Sequence, residues 1–251
     1  MDAWQIFGTP FSMWLIAFAA IIILGASKGG IKGISIVLVT LMVFVYGGKE
    51  STGVLMPLLA AADIIAITYY RKHVQWKYLV KLLPAMVVGV LMGTFIGKDL
   101  PEVLFKQGMI GIILFSVGLL LYWEKYPPKE VPDNWIFSSF LGLAAGVTTM
   151  IGNLAGPFAN IYFLSMRLPK NAFIGTAAWL FFIINLVKMP LHIIVWGTVN
   201  VESIKQSVSL VPAMLIGFIL GVALVKRIQE NSYRKMIIII TGLGALALFF
   251  K

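Results

Sequence analysis

The sequence predicts an all-α, polytopic membrane protein, and three observations carry that prediction. Sixty per cent of the residues are hydrophobic and only 12% are charged, about half the charged share of a soluble domain. Apolar runs recur from end to end, and runs such as MIIIITGLGALALFF (236–250) do not alternate with polar residues. A spanning β-barrel needs that alternation, so helices remain. The Lys and Arg residues cluster between the runs, in the manner of loops that set membrane orientation.

Ten apolar segments follow in order, at 11–27, 33–47, 51–70, 79–97, 104–123, 135–151, 155–166, 172–196, 205–226 and 233–250. Crossing the hydrocarbon takes about 20 helical residues. The second and seventh segments are too short for that, and each follows a glycine-rich break. The opening MDAWQIFGTP carries an acid and no base, unlike the basic start of a signal peptide, so it is expected to stay in the mature protein. EKYPPKEVPDN (124–134) has three prolines and five charges and reads as a semi-rigid linker.

Alternating the segments across the bilayer sorts the charge. The loops at 28–32, 71–81, 125–129, 167–170 and 226–235 hold fourteen Lys and Arg; those at 49, 98–106, 205 and 251 hold five; Lys188 stands inside a segment. The richer side is cytoplasmic by the positive-inside rule. Both termini are then non-cytoplasmic, in a multi-pass protein of the cell (inner) membrane. The net charge of +10 is read as this bias, with the lipid bilayer rather than nucleic acid as the partner.

An internal repeat is legible. Pro84, Ala85, Met86, Gly89 and Gly93 match Pro212, Ala213, Met214, Gly217 and Gly221 at a constant offset of 128, and GASKGGIKGISIVLVTLM (25–42) parallels GVTTMIGNLAGPFANIYFL (146–164) less closely. The expected organisation is a first transmembrane repeat over 1–123, the linker, and a second over 135–251. Each has about five helical segments, with short or broken helices at 25–47 and 146–166. If each short pair is a re-entrant hairpin, each half has three spans. An odd number either way inverts the second copy. Inverted repeats with paired broken helices are a transporter signature, because helix ends at membrane depth can hold a substrate. An N-terminal helix end suits an anion. The spacing of Gly25 and Gly30 also fits a P-loop, but Ile31 replaces its lysine and no strand precedes it.

The chain resembles the sulfite exporter TauE/SafE family of integral membrane proteins over nearly its whole length. The resemblance rests on the G-x-x-x-G-G-x-x-G break, its weaker copy at 146–157, the repeated PAM-x-x-G-x-x-x-G, and the N-x-x-K-x-P run at Asn185, Lys188 and Pro190. It implies a carrier of sulfur-containing and organic anions, such as sulfite and sulfonates.

The candidate substrate-binding residues are Lys28, Gly29, Gly30, Lys32, Thr149, Asn153, Asn185 and Lys188. Lys28 and Lys32 are either anion ligands or orientation lysines. Lys188, far from either segment end, faces the interior or a cavity, or else snorkels. Asp63 and His192 are candidates for proton coupling. Asp63 is alternatively a fixed partner of Lys28 or Lys188, and His192 alternatively a satisfied interior histidine. Thr148 and Asn160 are either substrate contacts or caps. With no cysteine, no HExxH and no paired carboxylates, an enzyme, a metal centre and a cofactor are not expected. The expected function is secondary transport of a small anion by alternating access, with coupling protons and a homodimer as possible partners. An anion channel of the same architecture is the alternative.

Overall fold

The computed structural model describes residues 4–105 and 134–230 without a break, and also residues 107, 108, 111, 115, 118, 122, 232, 233, 235–237, 239 and 240. Most of the fifth and tenth predicted segments, and the linker apart from Asn134, lie outside the described residues. The described helices are α1 (Phe11–Lys28), α2 (Ser35–Tyr46), α3 (Gly48–Tyr70), α4 (Trp76–Lys98), α5 (Trp135–Gly152), α6 (Gly156–Ser165), α7 (Lys170–Pro190) and α8 (Val201–Arg227). A two-residue hairpin, Gln5–Ile6 against Thr9–Pro10, precedes α1. Six spans among the described residues are long and apolar enough to cross a membrane: α1, α3 with its 3₁₀ extension to His73, α4, α5, α7 with its extension to Val195, and α8. The protein is an all-α polytopic membrane protein.

Local chemistry sets the helix limits. Asn134 caps α5 by accepting from the Phe137 N–H at 2.9 Å, and Asn200 and Ser203 form a reciprocal capping box on α8. Gly30 and Gly33, at φ +122° and +98°, turn the chain between α1 and α2. Pro190 does not break α7, which continues as one π turn over Leu191–Val195.

α2 answers whether the short segments re-enter. The residues just before α1 (Gly8, Thr9 and Pro10) and the end of α2 (Tyr46) line one cleft with Lys49, Glu50 and Trp196. The Gly29 carbonyl after α1 accepts instead from the hydroxyl of Tyr70, at the far end of α3. So α1 runs to the opposite face and α2 returns, its 12 residues covering about 18 Å. That opposite face carries Arg71, Lys72, Lys170 and Lys226, so loops grouped by charge share one side.

The helices are joined by glycine at backbone contact, and the same joint is built twice. A Cβ on Gly25 of α1 would overlap the Met214 carbonyl of α8 and crowd Gly217 and Phe218; one on Gly146 of α5 would overlap the Met86 carbonyl of α4 and crowd Gly89 and Val90. In reverse, Gly217 lies against Ile22 and Gly221 against Ala26, while Gly89 lies against Leu143 and Gly93 against Val147. Equivalent residues of α1 and α5 differ by 121 throughout, those of α4 and α8 by 128. Small residues permit this approach, and close packing drives association where lipid removes the hydrophobic effect between helices.

Two large apolar cores result, joined by two smaller clusters, Ile36, Val39, Phe105, Ile151 and Leu154 in one and Ala66, Ala178 and Phe218 in the other. One large core gathers Ala17, Ile21 and Leu24 of α1, Leu38 and Met42 of α2, Val54–Ala62 of α3 and Leu210–Met214 of α8. The other gathers Leu82–Val90 of α4, Leu141–Met150 of α5, Phe158–Phe163 of α6 and Phe173–Ile184 of α7, with Tyr70 and Val225 at its edge. Gly25→Val and Gly146→Val are each expected to destabilise the fold by about 3 kcal/mol or more, the upper range for overpacking. Ile219→Val on the exposed side of α8 should stay within about 0.5 kcal/mol. Thermal melting of the purified protein in detergent checks both.

Candidate functional site

The two breaks meet. A cavity of about 60 Å³ is lined by Ser27, Lys28, Lys32, Gly33 and Ser35 of the first break and by Thr149, Asn153, Gly156 and Asn160 of the second, with Phe181 and Asn185 of α7 and leucines of α1, α2 and α3. One water needs about 10–15 Å³ measured this way, so the cavity has room for several waters or one small oxyanion. α2 and α6 both begin at its wall, and neither start is capped by a side chain. Two partially positive helix ends therefore face one space.

Lys28, the last residue of α1, donates to Asp63 Oδ1 at 2.5 Å, and the pair is buried. Asp63 Oδ2 accepts from Asn185 Nδ2 at 2.6 Å. Both carboxylate oxygens are thus held, one by α1 and one by α7. Lys188 is fully buried and donates to Asn153 Oδ1 at 2.5 Å and to Thr149 Oγ1 at 3.3 Å. Asn153 ends α5 in the left-handed conformation at φ +57°, which asparagine tolerates better than most residues. Its Nδ2 is buried without a partner. Lys32, 4% exposed, donates to the Ser27 carbonyl at 3.0 Å. The Phe181 ring lies 4.9 Å from Lys28 Nζ and 5.9 Å from Lys32 Nζ, within cation–π range of both.

Charge is the chemically informative quantity. Three buried lysines surround one buried aspartate, an excess of two positive charges when all are ionised. Among the described residues, Lys32 and Lys188 have no carboxylate partner. An uncompensated charge at membrane depth costs from about 2.5 kcal/mol upward, so an anion would relieve a standing imbalance here. The unpartnered Asn153 amide adds a donor for an oxyanion oxygen.

Of the residues predicted from sequence, the structure brings Lys28, Lys32, Thr149, Asn153 and Asn185 to the cavity wall, with Asp63 and Lys188 one hydrogen bond behind. Gly29 and Gly30 are elsewhere. Gly29 packs against Phe218 and Val222 of α8, and the two carbonyls accept from Tyr70 and Tyr233 at 2.7 and 2.6 Å. His192 is also apart: its Nδ1 meets Thr198 Oγ1 at 2.9 Å, its ring meets Trp196, and its Nε2 is unpartnered. Thr148 bonds to the Ala144 carbonyl within its own helix. Sequence reasoning missed Phe181, since nothing distinguishes it from Phe182 until the helix is rotated into place. It also did not single out Ser27, Ser35 or Gly33, although all flank the first break.

The family model described as Sulfite exporter TauE/SafE matches residues 15–248. The chain belongs to the sulfite exporter TauE/SafE family. No curated protein and no solved structure gives a significant match. The match spans both breaks, so the whole cavity lies within the family's common region, and membership makes this chain a membrane transport protein for sulfite or related anions.

The ion pair makes a direct prediction. Removing one member of a buried pair costs about 3–5 kcal/mol, because the other charge is stranded. Lys28→Met and Asp63→Leu should each destabilise the protein by that order. The double variant should lose clearly less than the sum, as read from a melting cycle of the four proteins.

Proposed function

We propose that this member of the family is a secondary transporter of small anions, sulfur oxyanions or organosulfonates, that works by alternating access around the cavity between its two repeats. The lysine-rich face is the cytoplasmic one in this reading, and the membrane is the cell's inner membrane. The observation that carries it is the convergence of both breaks on one buried cavity with two more lysines than acids. The paired glycine joints at constant offsets support two repeats of opposite orientation, the arrangement in which broken helices meet at a central site.

The roles divide by geometry. Lys32 and Lys188 supply charge with no ion-pair partner among the described residues, and Asn153 Nδ2 and the starts of α2 and α6 supply directional donors. Lys28 is held by Asp63 and tunes the field. Both Asp63 oxygens are engaged, which favours fixed pairing over proton carriage. His192 sits off the cavity, which favours a structural role.

The test is anion-dependent stabilisation of the purified protein. A ligand at a hundred times its Kd stabilises the folded state by about 2.7 kcal/mol. Sulfite or a small sulfonate should raise the melting temperature above a sodium chloride control of equal ionic strength. Lys32→Gln and Lys188→Gln should each reduce that increment, measured from the variant's own baseline. An increment surviving both substitutions would put the anion elsewhere. Labelled-sulfite counterflow in proteoliposomes then separates a carrier, which exchanges, from a channel, which only dissipates.

A further inference from the structure

A second recess lies on the lysine-rich face, away from the cavity. A groove of about 660 Å³ runs along the outer side of α3 and its 3₁₀ extension. Ile64, Ile65, Thr68 and Tyr69 line it, and the basic turn Arg71, Lys72 and His73 closes it. Through Tyr69 and His73 it continues into a cleft of about 260 Å³ that reaches Lys226 of α8. The Tyr69 ring meets Tyr70 and Phe218 edge to face, and Lys226 Nζ lies 5.7 Å from its centre. Tyr69 is therefore fixed in place where the two recesses join.

The groove has two chemistries in a fixed order. Ile64, Ile65 and Thr68 belong to a span long and apolar enough to cross the membrane, which ends at His73. Ile64 is 54% exposed, and the Thr68 hydroxyl donates to the Ile64 carbonyl at 2.7 Å, so this end presents carbon. Arg71, Lys72, His73 and Lys226 stand exposed at the other end. Among the described residues, none of these four has an acidic partner. Glu230, beyond the end of α8, accepts instead from the Lys170 amide. From Ile64 to Arg71 the helix rises about 10 Å. An occupant must carry its negative charge at the membrane surface and an apolar part just below it. A soluble anion leaves the carbon end unfilled, and a zwitterionic headgroup brings no net charge to the basic end. Basic pockets between spanning helices suit anionic headgroups for this reason.

From this we infer that the groove on α3 is a binding site for one anionic phospholipid. Its phosphate sits among Arg71, Lys72 and Lys226, and an acyl chain lies along Ile64, Ile65 and Thr68. The site backs directly onto the cavity wall. Asp63, the residue before Ile64, holds Lys28, and Tyr70, the residue after Tyr69, holds the Gly29 carbonyl. A lipid seated there buttresses the helix that presents both. The lipid site stands whether or not the cavity carries an anion, since it depends only on which end of α3 meets the membrane surface.

Native mass spectrometry of the detergent-solubilised protein counts bound lipids one at a time. Offered equal amounts of dioleoyl phosphatidylglycerol and dioleoyl phosphatidylcholine, the chain should retain one phosphatidylglycerol, preferred by about tenfold or more. Arg71→Gln with Lys72→Gln should erase that preference. Arg167→Gln with Lys235→Gln removes equal charge from exposed residues outside the groove and should leave it intact. Ile64→Asn keeps every charge and should still lower the retained fraction. All five side chains are exposed, so the variants should elute and melt as the parent does. An unchanged preference in the first pair overturns the site. Equal loss in both pairs makes the preference a diffuse effect of the basic face and overturns it as well. Glycerol 1-phosphate, the same phosphate chemistry without acyl chains, should not displace the lipid even in large excess. Displacement would assign the groove to soluble phosphate esters instead. A mass of two chains that added phosphatidylglycerol splits into one would assign this face to a second copy, and would equally overturn the lipid site.

Discussion

Four ionisable side chains out of water, three basic and one acidic, constrain everything else in this protein. No lipid chain can answer them, so the fold must bring its own partners to membrane depth. That requires Asp63 in the middle of α3 to meet the end of α1, Asn185 of α7 to take its second oxygen, and Asn153 and Thr149 to take Lys188. Partners from four helices reach one point only because two of those helices stop there. The breaks at 29–34 and 153–155 are the means, since a continuous helix has no free backbone donors to offer.

The glycines set how near the elements can come. At Gly25 and Gly146, a methyl group would already occupy a neighbour's carbonyl. Close approach fixes the rotation of α1 and α5, and that rotation turns Lys28 and Thr149, each three residues further on, toward the cavity. Gly29 and Gly30 serve the same end indirectly. They hold the chain against α8 and α3 while Lys28 and Lys32 face inward. A glycine-rich stretch around two lysines thus divides its labour between packing and charge.

On the proposed two-repeat reading, duplication explains why one site has two unlike walls. The glycine joints recur at constant offsets, the pattern that the proposed pair of repeats would give. The side chains at the site have diverged. Lys28 lies 121 residues from Thr149, and Asp63 lies 122 residues from Asn185, its hydrogen-bond partner. The symmetric backbone provides two converging helix starts, while the asymmetric side chains provide a net positive field. An anion site needs both.

The linear sequence determined the class of protein, the helical segments, the two breaks and the separation of basic loops to one face. These depend on composition, run length and spacing, which survive without any contact between distant residues. It also nominated Lys28, Lys32 and Lys188, because a lysine in an apolar run is costly wherever its neighbours lie. Tertiary structure alone decided that Asp63 pairs with Lys28 rather than Lys188, that Gly29, Gly30 and His192 stand off the cavity, that Phe181 forms its wall, and that α1 packs on α8 as well as on α2 and α3. Each depends on helix rotation and partner choice. In a bilayer the apolar pattern says little about either, because lipid and protein interior are equally hospitable to leucine.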